Sequence, residues 1–464
     1  MKALEISLDE RSDQAPESTI VEKASKAAWF ALWVLVAVCL LRWVDQVVLV
    51  IGTEPMKKAL NLSDLQIGLL QGLGLTMAVA IGSVPLAWLA DRTDRRLVLA
   101  GCILFWSAAT AARGFSHSFE HIMMSTVGMS LADAGLYPIA YAIIALMFHG
   151  KQRITANLIF YAASSLGYSV AMALGGFVFA ALDRHAAELP SMLQGLESWR
   201  TASFAVAIVG PLFALLVVFI RLNEEQPFAR KPKAVGTSSA PGELRHYLRN
   251  NWRALVGVYG SAALGGMAFG PLLSWLPPAI ARRYDLSPSE VGSNIGTMFL
   301  VSTMVGLGLA GLLNRFWGRR FGESLPVRTA PYLTAFSAIP LVAVAFVESA
   351  NAVYAAVFLV LVPLIAFNAG MPTVYQGIAP RGLRATVMAG AMALTTPLVA
   401  CGPILVGYVS DGVADRPNGL LLSCVAIGVP FTLLSAWLIH WAAKPIHATL
   451  EVVRRDDASR APTC

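Results

Sequence analysis

Twelve apolar runs, separated by short polar connections, set the terms on which this chain can fold. They lie at 27–51, 66–90, 97–113, 119–148, 154–182, 201–221, 254–278, 291–313, 326–347, 352–378, 385–410 and 419–442. A helix needs about 20 mostly apolar residues to cross the hydrocarbon of a bilayer. Inside lipid only a helix or a closed barrel satisfies its own backbone hydrogen bonds. Hydrophobic residues fill 56% of the 464 positions and charged residues 14%, against roughly 25% charged in an ordinary soluble domain. A soluble core has no place for that much apolar surface. The expected fold class is an all-α membrane protein, with twelve transmembrane helices in two pseudo-symmetric six-helix bundles.

The polar segments give the organisation. Residues 1–26 form a mixed-charge tail with no basic start leading into an apolar stretch, so no cleavable signal peptide is expected. An N-terminal six-helix bundle then spans 27–221 and a C-terminal one 254–443. Between them 222–253 is rich in Lys, Arg, Pro and Ser and reads as a linker, and 444–464 is a second tail. The formal charge of +7 sits between the apolar runs rather than on one face, which points away from nucleic acid. With both tails inside, about 26 of the 35 Lys and Arg residues fall on the cytoplasmic side, as the positive-inside rule requires. The reading is a multi-pass protein of the inner or plasma membrane with both termini cytoplasmic, acting as a monomer among membrane lipid.

The halves resemble each other. Ala87-Trp-Leu-Ala-Asp91-Arg92-Thr-Asp94-Arg95-Arg96 follows the second run, and Gly311-Leu-Leu-Asn-Arg315-Phe-Trp-Gly318-Arg319-Arg320 follows the eighth. Asp133-Ala-Gly-Leu136 in the fourth run matches Asn368-Ala-Gly-Met371 in the tenth, and short basic loops ending at Arg153 and Arg384 precede the fifth and eleventh. Internal repeats of this kind mark secondary transporters.

The loop around Asp91 resembles the signature loop of the major facilitator superfamily, with Ala87 and Asp94 where that family usually has glycines. Asp45, the stretch Leu62–Gln71, and Ala132-Asp133-Ala134 with Pro138 are similar to the spinster-like branch of it. Two departures stand out. The branch usually has Asp-Arg where this chain has Asp45-Gln46, and an arginine seven residues before the acid of the fourth span, where this chain has Thr126. Arg42, three residues before Asp45, offers a displaced cation.

The resemblance implies a major facilitator fold whose first and fourth spans line a central cavity, and alternating access between its halves. Charges at mid-membrane cost a few kcal/mol each and default to functional roles. Asp45 and Asp133 are therefore the candidate proton-coupling groups, and Arg42 their charge partner or an anion contact. A static ion pair that fixes helix packing is the plainer alternative. Asn368, Tyr137, Tyr161, Ser164, Trp275 and Tyr375 are candidate cavity residues, each also an ordinary packing residue. Asp91 is expected to cap the eleventh span and latch the outward-open state, with Arg92, Arg95 and Arg96 pairing with carboxylates or lipid phosphates. Arg319 and Arg320 of the repeated loop are grouped with the same latch. Gly167, Gly175, Gly176, Gly265, Gly266 and Gly270 are expected at close helix contacts.

No catalytic constellation is visible. The seven histidines and five cysteines lack metal-ligand spacing, and no Gly-Lys-Ser/Thr phosphate loop is present. No enzyme activity, metal or cofactor is expected. The sequence reads as a secondary active transporter of a small organic or amphipathic lipid-like solute, proton-coupled. A proton:organic-anion symporter or passive facilitator of the same fold, or a non-transporting receptor, are the alternatives.

Overall fold

The computed structural model describes residues 25–185, 188, 190, 191, 193–221, 241–380 and 383–459. Among these every regular element is helical. Eleven helices are long and apolar enough to cross a membrane, and Leu325–Ala343, shorter and carrying Arg328, Pro331 and Pro340, takes its place as the ninth of twelve. In chain order the spans are Lys26–Ile51, Asp64–Arg92, Arg95–Gly114, Phe119–Met147, Gly150–Arg184 and Ser198–Val218. After the linker come Gly242–Tyr284, Pro288–Phe321, Leu325–Ala343, Ala350–Gly377, Arg384–Asp411 and Gly419–Ser459. They are called spans 1 to 12 below.

Local chemistry sets where several of them start. Ser25 caps span 1, and Ser63 with Gln66 and Ser287 with Glu290 form capping boxes at spans 2 and 8. Each pair satisfies orphan N–H groups at a helix start. Asp94, standing where a glycine is usual, caps span 3 by accepting from the Arg96 N–H at 2.8 Å. Arg96 also closes on its carboxylate and donates to the Ile220 carbonyl at 2.8 Å, tying the loop to the end of span 6. The same guanidinium holds the Asp94 carboxyl below the usual carboxylate range. The departure from the family pattern is thus a working cap.

Two helices outrun their apolar cores. The segment joined to span 7 is helical from Pro241, inside the stretch read as linker. Span 12 continues to Ser459. Its 41 residues extend about 60 Å, twice the hydrocarbon thickness of about 30 Å. The two extensions hold each other through Thr449, which donates to Asn251 Oδ1 at 3.0 Å. Residues 222–240 lie outside the described residues, as does Cys464.

The core shows how the two halves meet. At the membrane face opposite the termini, one cluster of buried residues runs through both halves, from Val47 and Ile67 to Trp275, Ile295 and Val406. Toward the face that holds the termini the core divides. One cluster contains only first-half residues such as Leu35, Ile103 and Ile143, the other only second-half residues such as Val258, Val374 and Ile439. The halves are joined at the far face and parted at the termini face.

Close helix approach makes the junction. A Cβ added to Gly292 would stand 2.7 Å from the Gly176 Cα, where spans 5 and 8 cross. Spans 2 and 11 meet as tightly: a Cβ at Gly72 would reach within 2.3 Å of the Ala400 carbonyl. Gly270 differs, with nothing within 4 Å of its added Cβ. Gly292→Val should therefore cost about 1–3 kcal/mol through overpacking and lower the melting temperature in detergent, while Gly270→Ala leaves it unchanged. Equal melting of the two variants would contradict this account of the junction.

Candidate functional site

Between the parted halves lies a cavity of about 700 Å³, within the range of sites for drug-sized molecules. Its two walls differ in chemistry. Arg42, Asp45, Gln46, Gln71, Ser130 and Asp133 come from the first half. Leu273, Met392, Thr396, Val399 and Pro403 represent the second half, which contributes no ionisable side chain among the lining residues.

Local irregularities position the polar wall. Span 2 contains a π turn at Leu70–Gly74, which carries Gln71 into the wall; such turns recur at functional sites. Span 4 breaks between Phe119–Asp133 and Leu136–Met147. The cause is Pro138, which has no N–H to donate and whose ring would clash with the Ala134 carbonyl. Asp133 therefore ends a half-helix, where the negative end of the peptide dipoles opposes a charged carboxylate.

The two intramembrane acids have different partners. Arg42 pairs with Asp133, its guanidinium resting 4.7 Å from the Trp43 ring centroid and 5.8 Å from that of Tyr137. Tyr137 in turn accepts from Ser164 at 3.1 Å. Asp45 is fully buried and pairs with Arg113 of span 3. It also accepts from Trp106 Nε1 at 2.8 Å and Thr110 Oγ1 at 3.1 Å. Arg113 is spent behind the wall, donating to Ser203 at 3.2 Å. Although Arg42 and Asp45 sit one helical turn apart, they belong to separate pairs. Both carboxylates line the cavity. Three donors fix Asp45, which is fully buried, whereas Asp133 has Arg42 and keeps 12% exposure at its side chain.

Other sequence candidates fall elsewhere. Trp275 is fully buried and donates to the Pro403 carbonyl at 3.0 Å, welding spans 7 and 11. Tyr375 stacks on Tyr259 at 5.6 Å, and Tyr161 is exposed on span 5. Asn368 donates back to Leu364 at 2.9 Å. None of these four is among the residues lining the cavity, and neither are Tyr137 and Ser164, which stand behind Arg42. Tyr168, which the sequence did not single out, closes the floor by donating to the Leu273 carbonyl at 2.6 Å across the two halves.

The far face is sealed by a charge cluster that sequence reasoning missed. Asp64, 1% exposed at its side chain, accepts from both terminal nitrogens of Arg282 at 2.9 Å and from Ser410 at 2.7 Å, and pairs with Lys57. Arg282 also holds Glu54 at 2.7 Å. Asp411, the last residue of span 11, accepts from the N–H groups of Asp64 and Leu65 at 2.8 and 2.9 Å. A carboxylate from one half thus caps a helix start in the other, where the dipole favours negative charge.

At the termini face the corresponding acid is Asp91, which pairs within its own half with Arg95 at 3.1 Å. Arg92 lies over the Trp88 ring at 3.9 Å. Arg319 is exposed near the end of span 8, and Arg320 lies near Phe321. Asp91 is expected to cap span 11; here its partner is Arg95, and the cap between the halves is that of span 2 by Asp411 at the opposite face.

Comparison with known proteins follows the same lines. A family model described as the Major Facilitator Superfamily matches residues 34–403. An MFS-type efflux pump of Mycolicibacterium smegmatis is 26% identical over 419 residues, covering 89% of this chain and 90% of the pump. Protein spinster homolog 1 of Xenopus laevis is 25% identical over 294 residues, covering 61% and 52%. A bacterial homologue of the human lysosomal transporter Spinster, in an inward-facing and unoccupied conformation, superposes with a TM-score of 0.70. Its identity is 20%, over 93% of this chain and 98% of that one.

Removing one member of a buried ion pair costs about 3–5 kcal/mol, so Asp64→Asn should open the far face. Spin labels at Lys58→Cys and Arg416→Cys, on opposite halves, would report it: a longer distance population is expected in the variant. An unchanged distribution would show that the cluster does not hold the face closed.

Proposed function

The chain belongs to the Major Facilitator Superfamily and is spinster-like, and from that premise we propose that it is a proton-coupled transporter of an amphipathic organic anion. The observation that carries the reading is the Arg42–Asp133 pair on the wall of the cavity, at the broken end of a half-helix. With Asp133 ionised, Arg42 is neutralised and has no charge to offer a solute. A proton on the Asp133 carboxylate breaks the pair and frees the guanidinium for an anionic head group. Proton and anion then strengthen each other's binding by the same factor, since linkage is reciprocal. The apolar body of the solute lies along Leu273, Met392 and Val399, on the wall without charge.

In this reading Asp45 anchors Arg113 and Asp133 exchanges the proton, which divides two acids that look equivalent in the sequence. The asymmetry of basic residues supports cytoplasmic termini, so the cavity is open inward. Alternating access exchanges the two caps. Asp411 leaves span 2 as the far face opens, and Asp91 takes up span 11 as the near face closes. Solute and proton set which state is populated, and a swing from 1:99 to 99:1 takes about 5.5 kcal/mol of differential binding.

The test uses proteoliposomes under an imposed pH gradient and single-chain amphiphiles with anionic, zwitterionic or neutral head groups. The anionic amphiphile should accumulate with the gradient. Asp133→Asn should abolish that accumulation while leaving downhill flux. Full gradient-driven accumulation by Asp133→Asn, or equal handling of the three head groups, would overturn the proposal.

A further inference from the structure

A second hollow, of about 400 Å³, opens where spans 8, 9 and 12 meet near the termini face. Trp317 and Phe321 reach it from the end of span 8, Arg328 and Tyr332 from the start of span 9, and His440 from span 12. Its charge is one-sided. Arg328 lines the hollow, 4.7 Å from the centroid of the Phe321 ring; Arg320 is not a lining residue but stands beside it, 5.4 Å from the same centroid. Arg328 donates to His447 Nε2 at 3.1 Å, so that nitrogen is an acceptor. Among the described residues neither guanidinium has a carboxylate partner, and none lines the hollow.

Depth and shape narrow the ligand. The hollow sits where span 8 ends at Phe321 and span 9 begins at Leu325, which is the level of lipid head groups, where Trp and Tyr gather. From it an apolar track descends the lipid-facing side of span 9. Tyr332, Phe336 and Ile339, spaced four and three residues apart, are 71%, 54% and 69% exposed. Trp437, about one turn before His440 on span 12, is 60% exposed. A guanidinium presents a planar fork that matches phosphate oxygens, and basic pockets between spans take up anionic head groups.

We propose that this hollow is a binding site for one anionic phospholipid, with its phosphate between Arg320 and Arg328 and an acyl chain along Tyr332, Phe336 and Ile339. The site is separate from the central cavity and does not depend on what that cavity carries. It gives the second half a fixed contact with the leaflet at the termini face. Free phosphate would satisfy the arginines and leave the apolar track unused, so the lipid is the occupant that fits both features.

Native mass spectrometry of the full chain in detergent tests the site, with palmitoyl-oleoyl phosphatidylglycerol, the corresponding phosphatidylcholine and millimolar inorganic phosphate as probes. One phosphatidylglycerol should stay bound under conditions that strip phosphatidylcholine, and phosphate should not displace it. Arg320→Gln with Arg328→Gln should weaken retention roughly thirtyfold, the factor expected from two arginines at a membrane surface. Arg315→Gln, earlier on the same helix and without a contact to the Phe321 ring, should leave retention unchanged. If the double variant does not fold, Arg328→Lys replaces it: the charge remains, the fork is lost, and retention should fall several-fold. Undiminished retention in the variant used, equal retention of phosphatidylcholine, or displacement by phosphate would each overturn the proposal.

Discussion

A charge buried in a membrane-spanning helix has to find its counter-ion inside the protein, and the first half of this chain is arranged around two such pairs. Asp45 with Arg113 joins spans 1 and 3, and Arg42 with Asp133 joins spans 1 and 4. The pairs differ in surroundings rather than composition. Trp106 and Thr110 complete the shell of Asp45 and leave it fully buried, whereas Asp133 ends a half-helix and stays 12% exposed at its side chain. In the proposed mechanism one pair persists and the other opens.

The second half supplies what the first lacks. It brings an uncharged wall to the cavity, and it brings Arg282, Ser410 and Asp411 to the far face. Closure there combines two effects of different range. Gly72 lets the backbones of spans 2 and 11 approach, and the charge cluster holds them once they have met. Neither suffices alone: the close approach has no preferred partner, and the charges need excluded water to be strong. The caps by Asp411 and, in the proposed alternate state, Asp91 give each face a closing contact of the same kind.

The number of spans, their division into halves and the two acids were legible in the sequence because each depends on local composition. Hydropathy locates a span wherever it packs, and Asp45 and Asp133 stand out inside apolar runs. Arg113 was not legible as a partner, because it stands at the end of its run, where a basic residue ordinarily marks the membrane boundary. Its side chain turns inward instead and is 2% exposed. Asp64 was hidden for another reason. Its partner Arg282 lies 218 residues away, and nothing near Asp64 in the sequence announces it. Aromatic residues misled in the opposite direction: Trp275 has the look of a cavity residue and is a weld between two helices. The continuation of spans 7 and 12 beyond the bilayer escaped notice because those extensions are polar and pair with each other.

The central claim is that occupation of the cavity by an anion and protonation of Asp133 are one linked event. It is tested most directly by proton uptake on binding, followed with a pH indicator in weakly buffered detergent solution. Wild-type protein should take up about one proton for each anionic amphiphile bound at a pH where Asp133 is ionised, and Asp133→Asn should bind the amphiphile with no uptake. Binding without uptake in the wild type, or the same uptake in the variant, would contradict the account.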